Sequence, residues 1–204
     1  MSDPVPTATA SPPSADRARP GRRRDPSCDQ AIFAAGLALL AEQGYAGVNI
    51  EGVAARAGVA KATIYRRFPN KAQLVVAAVH FGAGMTDHLP DTGDLRADLT
   101  GMLTRLMDVL RGEMGPVLLA FAAERIRHPP LDEEFKRSVI GAKRAHIRHL
   151  IRSAVERGDL PAGTDVEVVA EAGPALMWHH AMNRLPLTDD LPGRIVAVVM
   201  PARP

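Results

Sequence analysis

Cysteine is almost absent from this chain of 204 residues, which contains only Cys28, so no disulfide bond can form within it. Long apolar runs are also missing, because none approaches the roughly 18 to 20 residues that a membrane span requires. The first residues show no signal-peptide pattern. These absences favour a cytoplasmic protein with no membrane partner.

The residue patterns of common catalytic and metal sites are missing too. The chain has no Gly-Xaa-Ser-Xaa-Gly elbow and no glycine-rich phosphate loop. His146 and His149 are spaced for one helix face, and His179 and His180 are adjacent, but neither pair has the Cys or carboxylate partners of a zinc site. We therefore expect no enzyme activity, no catalytic residues, no metal site and no cofactor.

Alternating strand patterns do not occur after residue 74, and apolar residues recur instead at helical spacing. The pattern predicts an all-α protein. Helices are expected over about 71–84, 95–111, from 115, from 132 to Gly158, over 164–184 and over 191–200.

Local signals refine several of these helices. Asp94 is a predicted N-cap, and Thr164 with Glu167 fits a capping box. The helix that starts at Gly115-Pro116 is apolar on every face over residues 117–123, which predicts a central position. Gly173-Pro174 is expected to kink or interrupt its helix.

The segment from Val53 to Lys71, VAARAGVAKATIYRRFPNK, combines helix-turn-helix spacing with positive charge. Ala54 is small where two helices would touch, Gly58 tolerates a positive φ at the turn, and Ile64 faces inward. Between Ala54 and Lys71 there is no acidic residue. By itself this pattern also fits a helical hairpin with a solvated basic face.

The second helix of this segment would project Lys61, Thr63, Tyr65, Arg66 and Arg67. Lys and Arg side chains can read guanine, Thr can contact a thymine methyl group, and Tyr can donate to phosphate. The chemistry favours sequence-specific binding to double-stranded DNA.

The flanking sequence resembles the tetracycline-repressor (TetR) family of bacterial regulators over residues 31–45, 49–54, 58–68 and 70–74. The resemblance implies a three-helix DNA-binding domain with a helix-turn-helix, joined to a larger helical ligand-binding and dimerisation domain. Ala60 stands where a capping Ser is frequent, and Ala62 where Gly is frequent. The predicted DNA-binding residues are Asn49, Lys61, Ala62, Thr63, Tyr65, Arg66, Arg67 and Lys71.

Three segments are expected from composition and resemblance together: an Arg-rich N-terminal arm that is disordered (1–26), the DNA-binding domain (27–74) and the effector-binding and dimerisation domain (75–204). Residues 1–80 hold ten basic against six acidic residues, which places the positive charge in the N-terminal part. The arm either lies along DNA or is a solubilising tail.

The resemblance also implies a small-molecule effector and a homodimer formed through the last two helices. The candidate effector-binding residues are Met102, Leu106, Phe121, Met177, Trp178 and His179, with His180 as an alternative anchor. Such side chains are also typical of an ordinary core.

The function predicted from these features is a repressor that an apolar or amphipathic effector releases from a palindromic, inverted-repeat operator. Two alternatives stay open: a constitutive architectural DNA-binding protein and a ligand-sequestering helical protein.

Overall fold

The structure, a computed structural model, describes residues 26–84 and 90–200, and over these ranges it contains helices and no strands. The prediction of an all-α protein is confirmed. The predicted arm lies, apart from residue 26, outside the described residues. The elements are α1 (Pro26–Gly47), α2 (Ile50–Ala57), α3 (Lys61–Tyr65), α4 (Lys71–Gly82), α5 (Leu95–Arg111), α6 (Met114–Arg127), α7 (Pro129–Phe135), a π-helical turn (Lys136–Ile140), α8 (Gly141–Glu156), α9 (Val166–Met182) and α10 (Leu191–Val199).

The first four helices form a small bundle in which α1 packs on both α2 and α4. Ile32 of α1, Val53 of α2, Ile64 of α3 and Leu74 of α4 are fully buried at its centre. Burying side chains of this size stabilises a fold by about 1.5–3 kcal/mol each. The short α3 is therefore held by its apolar contact and not by its own length.

The remaining helices form the body of the molecule, where α5 packs on α6, α9 and α10. Leu103, Phe121, Ile151 and Met177 are among its fully buried side chains. The body touches the first bundle where α6 meets α1 and where α7 meets α4.

Several of the predicted helix starts are confirmed, whereas the predicted start of α9 is not. Asp94 caps α5 by accepting a hydrogen bond from the backbone N–H of Ala97. The capping box at Thr164 and Glu167 is wrong, because Asp165 is the N-cap of α9 and Thr164 instead donates its hydroxyl to the carbonyl of Pro161. The carboxylate of Asp165 accepts from two backbone N–H groups, which a hydroxyl competes with poorly.

Two predictions about helix shape also need correction. The long helix expected from 132 to Gly158 starts earlier, at Pro129, and it continues through α7, the π-helical turn and α8 without a break before Gly158, with a φ of 74°, ends it. The segment 117–123 of α6 is not central: Leu118 and Phe121 are buried, but Ala120 and Ala123 are exposed. Apolar composition on every face does not by itself show which face a neighbouring helix covers.

Helix α9 continues through Gly173-Pro174 as one helix. A Cβ atom at Gly173 would lie 3.2 Å from the Cδ1 atom of Leu103, so glycine allows α9 to approach α5 closely. Pro174 removes one backbone donor within this helix.

None of the helices in the described ranges is long and apolar enough to cross a membrane.

Candidate nucleic-acid interface

The turn between α2 and α3 depends on Gly58, which has a φ of 66° and a ψ of 32°. Its own N–H donates to the carbonyl of Ala55, and the N–H of Val59 donates to the carbonyl of Ala54 at 3.0 Å. These two bonds close the end of α2 and need a residue in the left-handed region. The predicted role of Gly58 is thereby confirmed.

Ala60 is the N-cap of α3 and makes no side-chain capping bond, as its sequence implies. The helical turn continues beyond Tyr65, because Phe68 donates its backbone N–H to the carbonyl of Ile64 at 2.8 Å. Ile64 is completely buried against the other helices. This contact directs the opposite side of α3 toward solvent.

The outward side of α3 carries Lys61, Ala62, Tyr65 and Arg66, all exposed, while Thr63 is partly exposed. Tyr65 keeps 49% of its surface accessible. Within the described ranges, the guanidinium of Arg66 has neither an ion-pair nor a hydrogen-bond partner. The surface thus offers an aromatic hydroxyl, a hydroxyl group and two cations along one short helix.

Lys61 is the one cation of this surface with an acidic neighbour. Its Nζ atom lies 3.0 Å from Oε1 of Glu51 on α2, and both side chains are more than half exposed. The hydrogen bond from Lys61 holds the pKa of Glu51 below its ordinary value. An exposed pair of this kind contributes little to stability, so a phosphate can replace the carboxylate at small cost.

Arg67 does not project outward as predicted. Its Nε atom lies 3.0 Å from Oδ1 of Asp29, and its Nη1 atom donates to Sγ of Cys28, both at the start of α1. Only 17% of the Arg67 side chain is exposed. The helical rotation between residues 66 and 67 turns this side chain from the outer surface to α1.

Lys71 is also directed inward, toward the end of α1. Its Nζ atom donates to the carbonyls of Tyr45 at 2.9 Å and Ala46 at 3.3 Å, and it lies 4.3 Å from the centroid of the Tyr45 ring. Burial lowers the pKa of Lys71. The lysine therefore joins α4 to the break in α1 at Gly44, whose φ is 68°.

Asn49, the remaining predicted DNA-binding residue, is the N-cap of α2. Its Oδ1 atom accepts from the backbone N–H of Gly52 at 2.7 Å, and its Nδ2 atom donates to the carbonyl of Gly47 at 3.3 Å. The side chain is exposed but already engaged at both ends. Its contact with DNA stays a prediction.

A contact that no sequence pattern predicts joins the first helix bundle to the body. The ring of Tyr45, at the end of α1, lies 4.9 Å from the ring of His128, which follows α6. Nε2 of His128 lies 3.2 Å from Oε2 of Glu124 on α6. No sequence signal connects residues 45 and 128, because the contact depends on how the two parts pack.

The candidate effector-binding residues differ in their burial. Phe121 and Met177 are buried in the core, Met102, Leu106 and Trp178 are partly buried against it, and His179 is exposed. His180 contacts the carbonyl of Pro186 through Nδ1 at 3.0 Å. A cleft of about 300 Å³ is present in the body, but other residues line it.

Comparison with known proteins agrees with this geometry. The family model for bacterial regulatory proteins of the tetR family matches residues 32–78, and the model for the tetracyclin repressor-like C-terminal domain matches residues 89–199. The chain belongs to the TetR family. It is therefore a DNA-binding transcriptional regulator whose helix-turn-helix is formed by α2 and α3.

Relatives with this TetR architecture come from several bacteria. An uncharacterised helix-turn-helix transcriptional regulator of Mycobacterium tuberculosis is 31% identical over 176 residues, covering 84% of this chain and 85% of its own. The DNA-binding transcriptional repressor TetR of Mycobacteroides abscessus is 31% identical over 175 residues, covering 83% and 90% of the two chains.

Solved structures share the fold of this TetR-family regulator. A TetR family transcription regulator superposes with a TM-score of 0.67 at 25% identity, covering 87% of this chain and all of the other. FadR of Bacillus subtilis, in complex with stearoyl-CoA, has a TM-score of 0.67 at 16% identity and covers 86% of this chain and 99% of its own.

Proposed function

We propose that this regulator is a homodimeric repressor that binds a near-palindromic operator and leaves it when a small apolar or amphipathic effector binds. The observation that carries the proposal is the outward side of α3, where Tyr65 and Arg66 lie exposed over a buried Ile64. A recognition helix of this kind reads only a few base pairs, so specific sites are commonly read by two subunits.

The proposed contacts with DNA come from Asn49 and the outward residues of α3. Arg66 is suited to a guanine edge or a phosphate, and Tyr65 to a phosphate oxygen. Ala62 brings the backbone of α3 close to the groove. In this proposal Arg67 and Lys71 orient α3 and α4 through their contacts with α1.

A homodimer is supported by apolar side chains that the single chain leaves open on its last two helices. Val168 and Met182 lie on α9 and Val198 on α10, and each is more than 60% exposed. Exposed apolar side chains along these two helices are available for burial against a second chain. The two-fold pairing of α9 and α10 would cover these side chains and set the half-sites about 34 to 36 Å apart, or a multiple of that distance.

Release by an effector requires that the body influence the DNA-binding helices. The Tyr45–His128 contact supports such coupling, because a displacement of α6 would act directly on the end of α1. The FadR structure in complex with stearoyl-CoA supports a body that accepts an amphipathic ligand. Coupling of about 1–3 kcal/mol would change operator affinity roughly 5- to 150-fold.

The test begins with purified protein and a library of genomic fragments. Fragments retained at moderate salt are sequenced, and the enriched sequence and a scrambled version are compared by gel shift. A single enriched inverted repeat is expected, with half-site centres about 10 base pairs or a multiple apart. A reporter gene placed behind this repeat should be less active in cells that contain the regulator.

Other results would favour other functions. Uniform, salt-sensitive retention of all fragments would indicate an architectural DNA-binding protein. Absence of DNA binding, with retained small-molecule binding, would indicate a ligand-sequestering protein. Higher reporter activity in the presence of the regulator would identify an activator and contradict repression.

A further inference from the structure

A cleft of about 300 Å³ lies between the turn from α5 to α6 and the end of α9. Leu110, Pro116 and Leu119 line it from α5 and α6, and Leu187 lines it from the connection between α9 and α10. This volume is at the lower end of the range of small-molecule sites, and the apolar wall is typical of them. The cleft also contains two arginines, Arg111 and Arg184.

Arg111 is already neutralised by the protein. Its Nη1 atom lies 2.6 Å from Oδ1 of Asp189, and its Nη2 atom donates to the carbonyl of Leu187. The side chain thus ties the end of α5 to the connection before α10. It adds shape to the cleft but no uncompensated charge.

Arg184 is in the opposite situation. Of the residues described by the structure, none forms an ion pair or a hydrogen bond with its guanidinium, so its charge is uncompensated at the edge of the cleft. It is also the one described non-glycine residue with a positive φ, at 55°.

The positive φ of Arg184 follows from the way α9 ends. The N–H of Arg184 donates to the carbonyl of Ala181 at 3.3 Å, and the N–H of Leu185 donates to the carbonyl of His180 at 2.9 Å. This pair of bonds is a Schellman motif, and Arg184 occupies the left-handed position where glycine is usual. Residues held in such conformations cluster at ligand sites, where the side chain has a use that offsets the strain.

We propose that this cleft binds a small amphipathic monoanion, with its apolar part on the leucines and its anionic group on Arg184. Among the described residues Arg111 has an acidic partner, Asp189, and Arg184 has none, so the anionic group of a ligand is expected on Arg184. A carboxylate matches a guanidinium in shape and can accept two hydrogen bonds from it. That the bound anion acts as the effector rests on the proposed function; that it binds does not.

The binding test uses isothermal titration calorimetry with octanoate and the uncharged octan-1-ol as probes. The regulator is expected to bind octanoate more tightly than octan-1-ol. Arg184→Gln should weaken octanoate binding about tenfold or more, the usual effect of losing a charge-assisted hydrogen bond, and should leave octan-1-ol binding unchanged. Arg152→Gln, which removes an exposed arginine from α8, is the matched control and should change neither.

A second variant separates binding from folding. Arg184→Gly removes the charge and also relieves the left-handed strain, so its Tm should rise by about 2 °C while octanoate affinity falls as in Arg184→Gln. A lower Tm would contradict the strain assigned to Arg184. The proposal would be overturned if the regulator does not bind octanoate, or if it binds octanoate no more tightly than octan-1-ol. It would also be overturned if neither variant changes the affinity for octanoate.

The outcome for DNA is measured separately on the selected operator. Octanoate that binds the cleft without changing operator affinity would leave the binding site intact and remove its regulatory role. An operator that is bound specifically while octanoate does not bind would refute the cleft proposal and leave the regulator proposal standing.

Discussion

Val198 gives the sharpest test of how two chains associate. It lies on α10 with 76% of its surface exposed in the single chain, and the proposed two-fold pairing would cover it. We consider the substitution Val198→Asp. In the separated chain the new carboxylate stays in water, so the free energy of unfolding should change by no more than about 0.5 kcal/mol.

In the dimer the same carboxylate would be buried without a partner in each subunit. Leaving a buried charge uncompensated costs about 3–5 kcal/mol. The lower value already corresponds to a dissociation constant raised roughly 150-fold. Two like charges near a two-fold axis would also repel each other, which adds to the effect.

Sedimentation over a dilution series measures this change directly, and a gel shift on the selected operator follows its consequence for DNA. The control is Ile126→Asp on α6, where an apolar side chain is 86% exposed but lies outside the proposed interface. We expect Val198→Asp to yield monomers with weak operator binding and Ile126→Asp to remain dimeric. A Val198→Asp variant that dimerises as before, or dissociation caused by Ile126→Asp, would place the interface elsewhere.

Three further predictions concern the DNA-binding helices. Arg66→Ala should weaken operator binding by about 1–3 kcal/mol in a gel shift, whereas Arg152→Ala on α8 should not; equal affinities would remove Arg66 from the contact surface. Gly58→Ala should lower the free energy of unfolding by about 1–2 kcal/mol, because a φ of 66° strains any residue that has a Cβ. No atom lies within 4 Å of the new Cβ, so a steric clash does not add to this loss. Gly101→Ala inside α5 should raise the free energy of unfolding by about 0.5–1 kcal/mol. Thermal melts in which the Tm of both variants shifts in the same direction would contradict this reasoning. Burial raises the pKa of Tyr45, so above pH about 10 the unfolded chain releases a proton that the folded chain keeps, and stability falls. Tyr45→Phe should make the alkaline part of the urea-denaturation pH profile flatter, and an unchanged slope would show that this phenol does not contribute.

Local structure could be predicted where neighbouring residues determine it. The turn at Gly58 needs a residue that tolerates a positive φ, and the cap at Asp94 needs a short acceptor before a helix. The buried Ile64 follows from helical spacing. The capping box at Thr164 failed because Asp165, one residue later, is the stronger acceptor.

The directions of Arg67 and Lys71 were beyond the sequence. Their side chains are basic, like that of Arg66. Only the packing of α1 shows that Asp29 binds Arg67 and that the carbonyl of Tyr45 binds Lys71. A basic run therefore indicates that a surface binds an anion without showing which of its members face it.

The sequence alone determined the all-α class, the helix-turn-helix and its family. Helical periodicity, turn chemistry and motif spacing each depend on short stretches of chain. Tertiary structure alone decided which sides of α6 are open, that Tyr45 meets His128, and that Arg111 and Arg184 share one cleft with different partners. Those features join residues far apart in the chain, and their positions follow from how whole helices pack rather than from any local pattern.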